Sequence, residues 1–159
     1  MEMTRNYLEV LSESLDKKLT ILGELVTLTE EQGTIASAGA FDEERFNAIV
    51  HQKSTLIEEL EKLDEGFQTL YDRIKEQLEQ DKEQYRDEIE LLRTKIRRVT
   101  DLSTGLMSME RRNQPAIAAR FREAKKEVRQ VKRTRAMAAN YYKAQNKISE
   151  EPYFVDRKK

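Results

Sequence analysis

The sequence predicts an all-α fold, an antiparallel three-helix bundle of long helices with a fourth, basic C-terminal helix. Three observations lead there. Half of the 159 residues are Ala, Glu, Lys, Leu or Arg, the composition of long helices and coiled coils. Apolar residues recur at spacings of three and four over successive stretches, which gives each stretch one apolar helical face. Two prolines and five glycines leave few places where those stretches can break. Leu, Ile, Val and Phe number 37, just enough for a chain that is 37% charged to bury a core.

The first helix is predicted to start at Thr4, whose hydroxyl can accept from the bare N–H groups of the first turn, with Met3 and Leu8 at the staple positions. Leu8, Leu11, Leu15, Leu19, Leu22 and Val26 then mark a stripe along a helix of roughly 26 residues, about 40 Å long. Leu25 and Leu28 widen the stripe, as contact with more than one neighbour requires. Residues 33–40 (GTIASAGA) predict the break.

Phe41 and Asp42 repeat the start signal, with Asp42 as cap and Phe41 opposite Phe46 as staple. Phe46, Ile49, Lys53, Leu56, Leu60, Leu63, Phe67, Leu70, Ile74 and Leu78 form the second stripe. Lys53 is its one polar member, and its stem is expected along the seam with the ammonium in water. Gly66 marks either a close helix approach or a surface position, at a cost of about 1 kcal/mol relative to Ala.

Residues 79–84 carry neither Gly nor Pro, yet a single helix from 43 to 104 would be roughly 90 Å long with much of its stripe uncovered. A turn is therefore expected, with Asp81 and Gln84 spaced as a capping box. Tyr85, Ile89, Leu92, Ile96, Val99 and either Leu102 or Leu106 make the third stripe, and short connections imply antiparallel neighbours.

Pro115 either starts a new helix or kinks the third. Beyond it Ile117, Phe121, Ala124, Val128, Val131, Arg135, Ala138 and Tyr142 alternate at four and three. Arg120, Arg122, Lys125, Lys126, Arg129, Lys132 and Arg133 surround that seam, opposed by Glu123 and Glu127. Two alanines and an arginine thin the seam, so this helix is marginal alone and gains order from a partner. Residues 148–159 are expected to be extended, with Tyr153, Phe154 and Val155 as a docking triplet.

The net charge of −1 conceals a split: residues 1–110 carry −11 and residues 111–159 carry +10. We therefore expect residues 1–112 to be an acidic helical bundle and 113–159 a basic helix and tail that binds a partner. The absence of cysteine excludes disulfides, thiolate nucleophiles and Cys-type zinc sites. His51 stands alone and reads as a surface residue, while Glu43/Glu44 and Glu58/Glu59 diverge on their helices rather than forming an acid–base pair. No phosphate loop, nucleophile elbow or HExxH motif is present, so the expectation is a protein without catalysis, metal or cofactor. No transmembrane run and no secretion signal appear, so a cytoplasmic protein is the expectation.

Nucleic acid is a disfavoured partner, because the acidic body repels it and the cations lack interleaved aromatics. A coiled-coil scaffold, dimerising through the first three helices, is the other alternative. Helix four folding back to complete a four-helix body is compatible with binding if a partner displaces it.

The order of features resembles the FlgN-type flagellar export chaperones, with FliT-type chaperones as near relatives. The resemblance lies in Lys53, Leu56, Ile57, Leu60, Leu63 and Phe67, in Glu110 and Asn113, and in Tyr153-Phe154-Val155-Asp156. It implies a cytosolic chaperone of flagellar type III export that binds hook-associated (hook–filament junction) proteins through their C-terminal helices and delivers them to the export gate. Client contact then falls after Pro115, on Ile117, Phe121, Val128, Val131 and Tyr142, with Arg122, Lys125 and Arg129 as steering charges that favour an acidic flank. A tyrosine contact to the gate leaves Tyr141, Tyr142 and Tyr153 as candidates.

Overall fold

The computed structural model describes residues 2–123 and 128–149, with side-chain surroundings for 3–123 and 132–143. Four helices account for them: α1 (Glu2–Ser37), α2 (Glu43–Gln80), α3 (Arg86–Glu123) and α4 (Val128–Ser149). The all-α expectation holds among the described residues, but the arrangement differs from three helices plus one. α1 packs on both α2 and α3, and α4 packs on both α2 and α3, which closes a four-helix ring. α2 and α3, although joined by the turn at 81–85, lie across the ring from each other, with side-chain contacts such as Lys53–Glu110 and Phe46–Phe121 between them.

Directions follow from the pairings. Arg5 meets Glu88, Asp16 meets Lys95, the Thr29 carbonyl meets Asn113 and the Ala36 carbonyl meets Arg120. These partners stay 79 to 84 residues apart, so α1 and α3 run parallel. Lys18 pairs with Asp64 and Gln32 with Lys53, so α1 and α2 run antiparallel.

Most of the buried residues follow a 3.5-residue repeat, with Ile21 and Ile49 buried beside it. On α1 it runs Thr4, Leu8, Leu11, Leu15, Lys18, Leu22, Leu25, Thr29, Gln32 and Ala36. On α2 it runs Phe46, Val50, Lys53, Ile57, Leu60, Asp64, Phe67, Tyr71, Ile74 and Leu78. Tyr85, Ile89, Leu92, Ile96, Val99, Ser103 and Leu106 continue the same alternation into α3. Such a repeat keeps one seam facing its neighbours when helices cross at about 20°. Leu19, Val26, Leu56, Leu63 and Leu70, which the sequence assigns to the seams, are only half-buried beside them. Choosing leucines over Lys18 and Asp64 displaced the reading by one position.

Helix ends show which local signals prevail. Asp42 caps α2 by accepting from the Arg45 N–H at 3.1 Å, and the Phe41 and Phe46 rings pack 5.3 Å apart, as the start signal predicts. Thr4 is not a cap: it lies inside α1, buried as the first seam residue one turn before Leu8. Asp81 is the C-cap of α2 and accepts from the Gln77 side chain instead of opening a capping box for α3. Pro115 neither starts a helix nor ends one; α3 continues through it to Glu123. Bonds from Asn113 to the Thr29 carbonyl (2.9 Å) and from Arg120 to the Ala36 carbonyl (3.0 Å) pin α3 to α1 on both sides of the missing donor.

The same clasp explains why α1 runs past residues 33–36. Gly33 is the close approach in the bundle: a Cβ there would meet the Asn113 amide, 2.8 Å from its Cγ. Gly66 is exposed, with nothing within 4 Å of its missing Cβ. Replacing Gly66 by Ala therefore raises stability by about 0.5–1 kcal/mol, the ordinary helix-propensity gain. Gly33→Ala instead lowers stability by about 1 kcal/mol, because Asn113 must leave its bond to Thr29. Urea melts of both variants check the opposite signs, and Asn113→Ala should abolish the penalty at residue 33.

Candidate helix-binding cleft

The α4 seam is Thr134, Ala138, Tyr141 and Tyr142, all buried. Small residues on this helix leave space between it and α3, a cleft of about 430 Å³. Ala138, Ala139 and Tyr142 form one wall, Met107 and Ile117 the other, with Val50 of α2 behind them. Arg111, Arg135 and Lys143 stand exposed at the cleft edge.

Lys53 lies at the base of this space, 2% exposed, so its ammonium is not in water as the sequence reading expects. It donates to Gln32 Oε1 at 2.8 Å and to both Glu110 carboxylate oxygens at 2.9 Å. One cation thereby ties α1, α2 and α3 together. Burial pushes its pKa down, against the opposing pull of Glu110. Tyr142 is held above the usual phenol range, by burial first and by the Glu110 charge second, so its hydroxyl keeps its proton.

A second polar cluster lies further along the core. Lys18 pairs with Asp64, and its Nζ is 5.8 Å from the Tyr141 ring centroid. Asp64 Oδ2 and Ser103 Oγ are buried without a hydrogen-bond partner. Burial lowers the Lys18 pKa and raises that of Asp64, in each case outweighing the partner's charge.

The predicted contact residues do not form one continuous surface. Ile117 and Phe121 belong to α3, where Ile117 is buried with Ala36, Phe46 and Val50 and Phe121 packs edge-on against Phe46 at 6.4 Å. Tyr142 belongs to α4 and lines the same cleft as Ile117. The uninterrupted spacing from Ile117 to Tyr142 thus spans two helices, and on α4 it is Thr134, not Arg135, that faces inward. Arg122 is exposed on α3. Val128, Arg129 and Val131 lie in the first turns of α4, their side chains outside the described residues. Lys125 and Tyr153 lie outside the described residues altogether. Tyr141 and Tyr142 are 1% and 3% exposed, against the accessibility a gate contact needs.

Sequence reasoning missed Lys18, Asp64 and the partner of Lys53. The signal was present as three polar residues at strict seam positions, each a buried charge that must find a counter-charge.

A family model described as FlgN protein matches residues 1–149 of the chain. No curated protein and no solved structure gives a significant match.

Proposed function

The chain belongs to the FlgN family, and on that premise we propose that it is a cytoplasmic chaperone of flagellar type III export that binds hook-associated proteins through their C-terminal helices. The observation that supports this reading is the open cleft between α3 and α4, with its apolar walls and helical frame. An amphipathic helix laid into such a groove buries the stripe it would otherwise expose, which keeps a client from assembling early. The family match also supports delivery of the client to the export gate. Because Tyr141 and Tyr142 are buried, Tyr153 is the tyrosine we assign to that contact.

Titrating the full chain with purified hook-junction proteins, and with fragments containing only their C-terminal helices, tests the proposal by calorimetry. At least one junction protein should bind, and its C-terminal fragment should retain the affinity. Ala139→Phe places a ring at the exposed lip of the cleft and should weaken binding by tenfold or more with the helix content unchanged. Failure of every junction protein to bind overturns the function. Full binding by the Ala139→Phe variant places the client elsewhere on the molecule.

A further inference from the structure

The two lips of the cleft carry the same sign of charge. On α4, Arg135, Ala139 and Lys143 form one ridge at four-residue steps, which sets the two cations about 12 Å apart with a small residue between them. On α3, Arg111 and Gln114 form the opposite lip. Arg111, Arg135 and Lys143 are exposed, and none has an ion-pair partner among the described residues. The one anion in the cleft, Glu110, is already held by Lys53.

We infer that the cleft selects an amphipathic helix whose apolar stripe is bordered by carboxylates on both sides. Ala139 permits close approach of the occupant's backbone. One pair of carboxylates two turns apart meets Arg135 and Lys143, and a third, on the opposite edge of the stripe, meets Arg111. A helix with acidic residues on one edge alone would satisfy only one lip. The selectivity is built on repulsion as well as attraction, since a basic edge would face uncompensated cations on either side. Exposed charges of this kind act mainly on the rate of encounter and its salt dependence. This inference rests on the cleft being the client groove proposed above.

The test compares two synthetic helical peptides, one with leucines at seam spacing and glutamates along both edges, the other with glutamine at every glutamate position. The acidic peptide should associate at least tenfold faster at low salt, and added salt should erase most of the difference. The triple substitution Arg111→Glu, Arg135→Glu, Lys143→Glu should abolish that preference. A control with the same change in net charge, Lys17→Glu, Lys62→Glu, Arg73→Glu, alters exposed residues beside the groove between α1 and α2 and should retain most of it. Equal rates for the two peptides, or equal effects of the two triple variants, overturn the inference. A junction protein that binds the cleft triple variant as well as the wild type overturns the charge rule while leaving the chaperone reading intact. If no junction protein binds the wild type, the chaperone reading fails and the peptide pair still decides the charge rule.

Discussion

Lys53→Met should destabilise the protein by about 3–5 kcal/mol, the cost of stranding one member of a buried ion pair. The substituted side chain matches the stem of lysine, so little volume is lost and the loss is electrostatic. Glu110, with 18% of its side chain exposed, is left without the cation that now satisfies both its oxygens. Gln32 of α1 loses its donor on α2 at the same time. Against a typical total stability of about 5–15 kcal/mol, such a loss is large. Adding Glu110→Leu to Lys53→Met should recover most of it, returning the double variant to within about 1–2 kcal/mol of wild type. Urea denaturation of the two single variants and the double variant measures the coupling. Because α4 packs against both α2 and α3, hydrogen exchange should show its amides opening first in Lys53→Met. If the single variant melts like wild type, the three-way contact is not an organising element of the bundle.

The Lys18–Asp64 pair should behave oppositely. Here one carboxylate oxygen of Asp64 is buried with no partner, so that carboxylate is incompletely compensated. Lys18→Met combined with Asp64→Leu should stabilise the protein by about 1–4 kcal/mol, whereas Lys18→Met alone should destabilise it. The pH dependence carries the same information. The folded-state pKa of Asp64 lies above its ordinary 3.8 and that of Lys18 below its ordinary 10.5, both because burial penalises charge. Between 3.8 and the raised Asp64 value the native state holds a proton that the unfolded chain has released, so stability falls as pH rises. Between the lowered Lys18 value and 10.5 the unfolded chain holds the extra proton, so stability rises with pH. The double variant lacks both slopes. Its advantage over wild type should be greatest between the two windows and shrink toward either end. An advantage independent of pH would show that the pair is fully compensated in the folded chain.

The contrast between these pairs shows where sequence patterning stops being informative. Periodicity located three long helices, the Asp42 cap, the Phe41–Phe46 staple and the turn after α2, because each depends on residues within a few positions of one another. It failed where distant partners decide. Thr4 looks like a cap until the seam it shares with Leu8 and Leu11 is recognised. The run at 33–40 does contain the end of α1, but Asn113 and Arg120 reach back to keep the helix going to Ser37. Gly66 and Gly33 are indistinguishable by propensity, and only Asn113 tells them apart. The candidate cleft was half legible. The alanines of the last segment announce a seam too thin to close, but nothing in their spacing says that Ile117 belongs to α3 and lines the same cleft as Tyr142. A four-three alternation can pass unbroken from one helix into the next.

The near-constant offset between α1 and α3 also sets the order in which the chain can assemble during synthesis. α1 and α2 can pair as an antiparallel hairpin soon after both emerge, but the Ala36 carbonyl waits for Arg120, 84 residues later. Contacts so far apart in sequence are intrinsically slow to form. The cleft comes later still: its walls include Tyr142 and Lys143, so its lining is incomplete until at least 143 residues have been made. A nascent copy therefore exposes the seams of α1 and α2 to its surroundings before the cleft is complete.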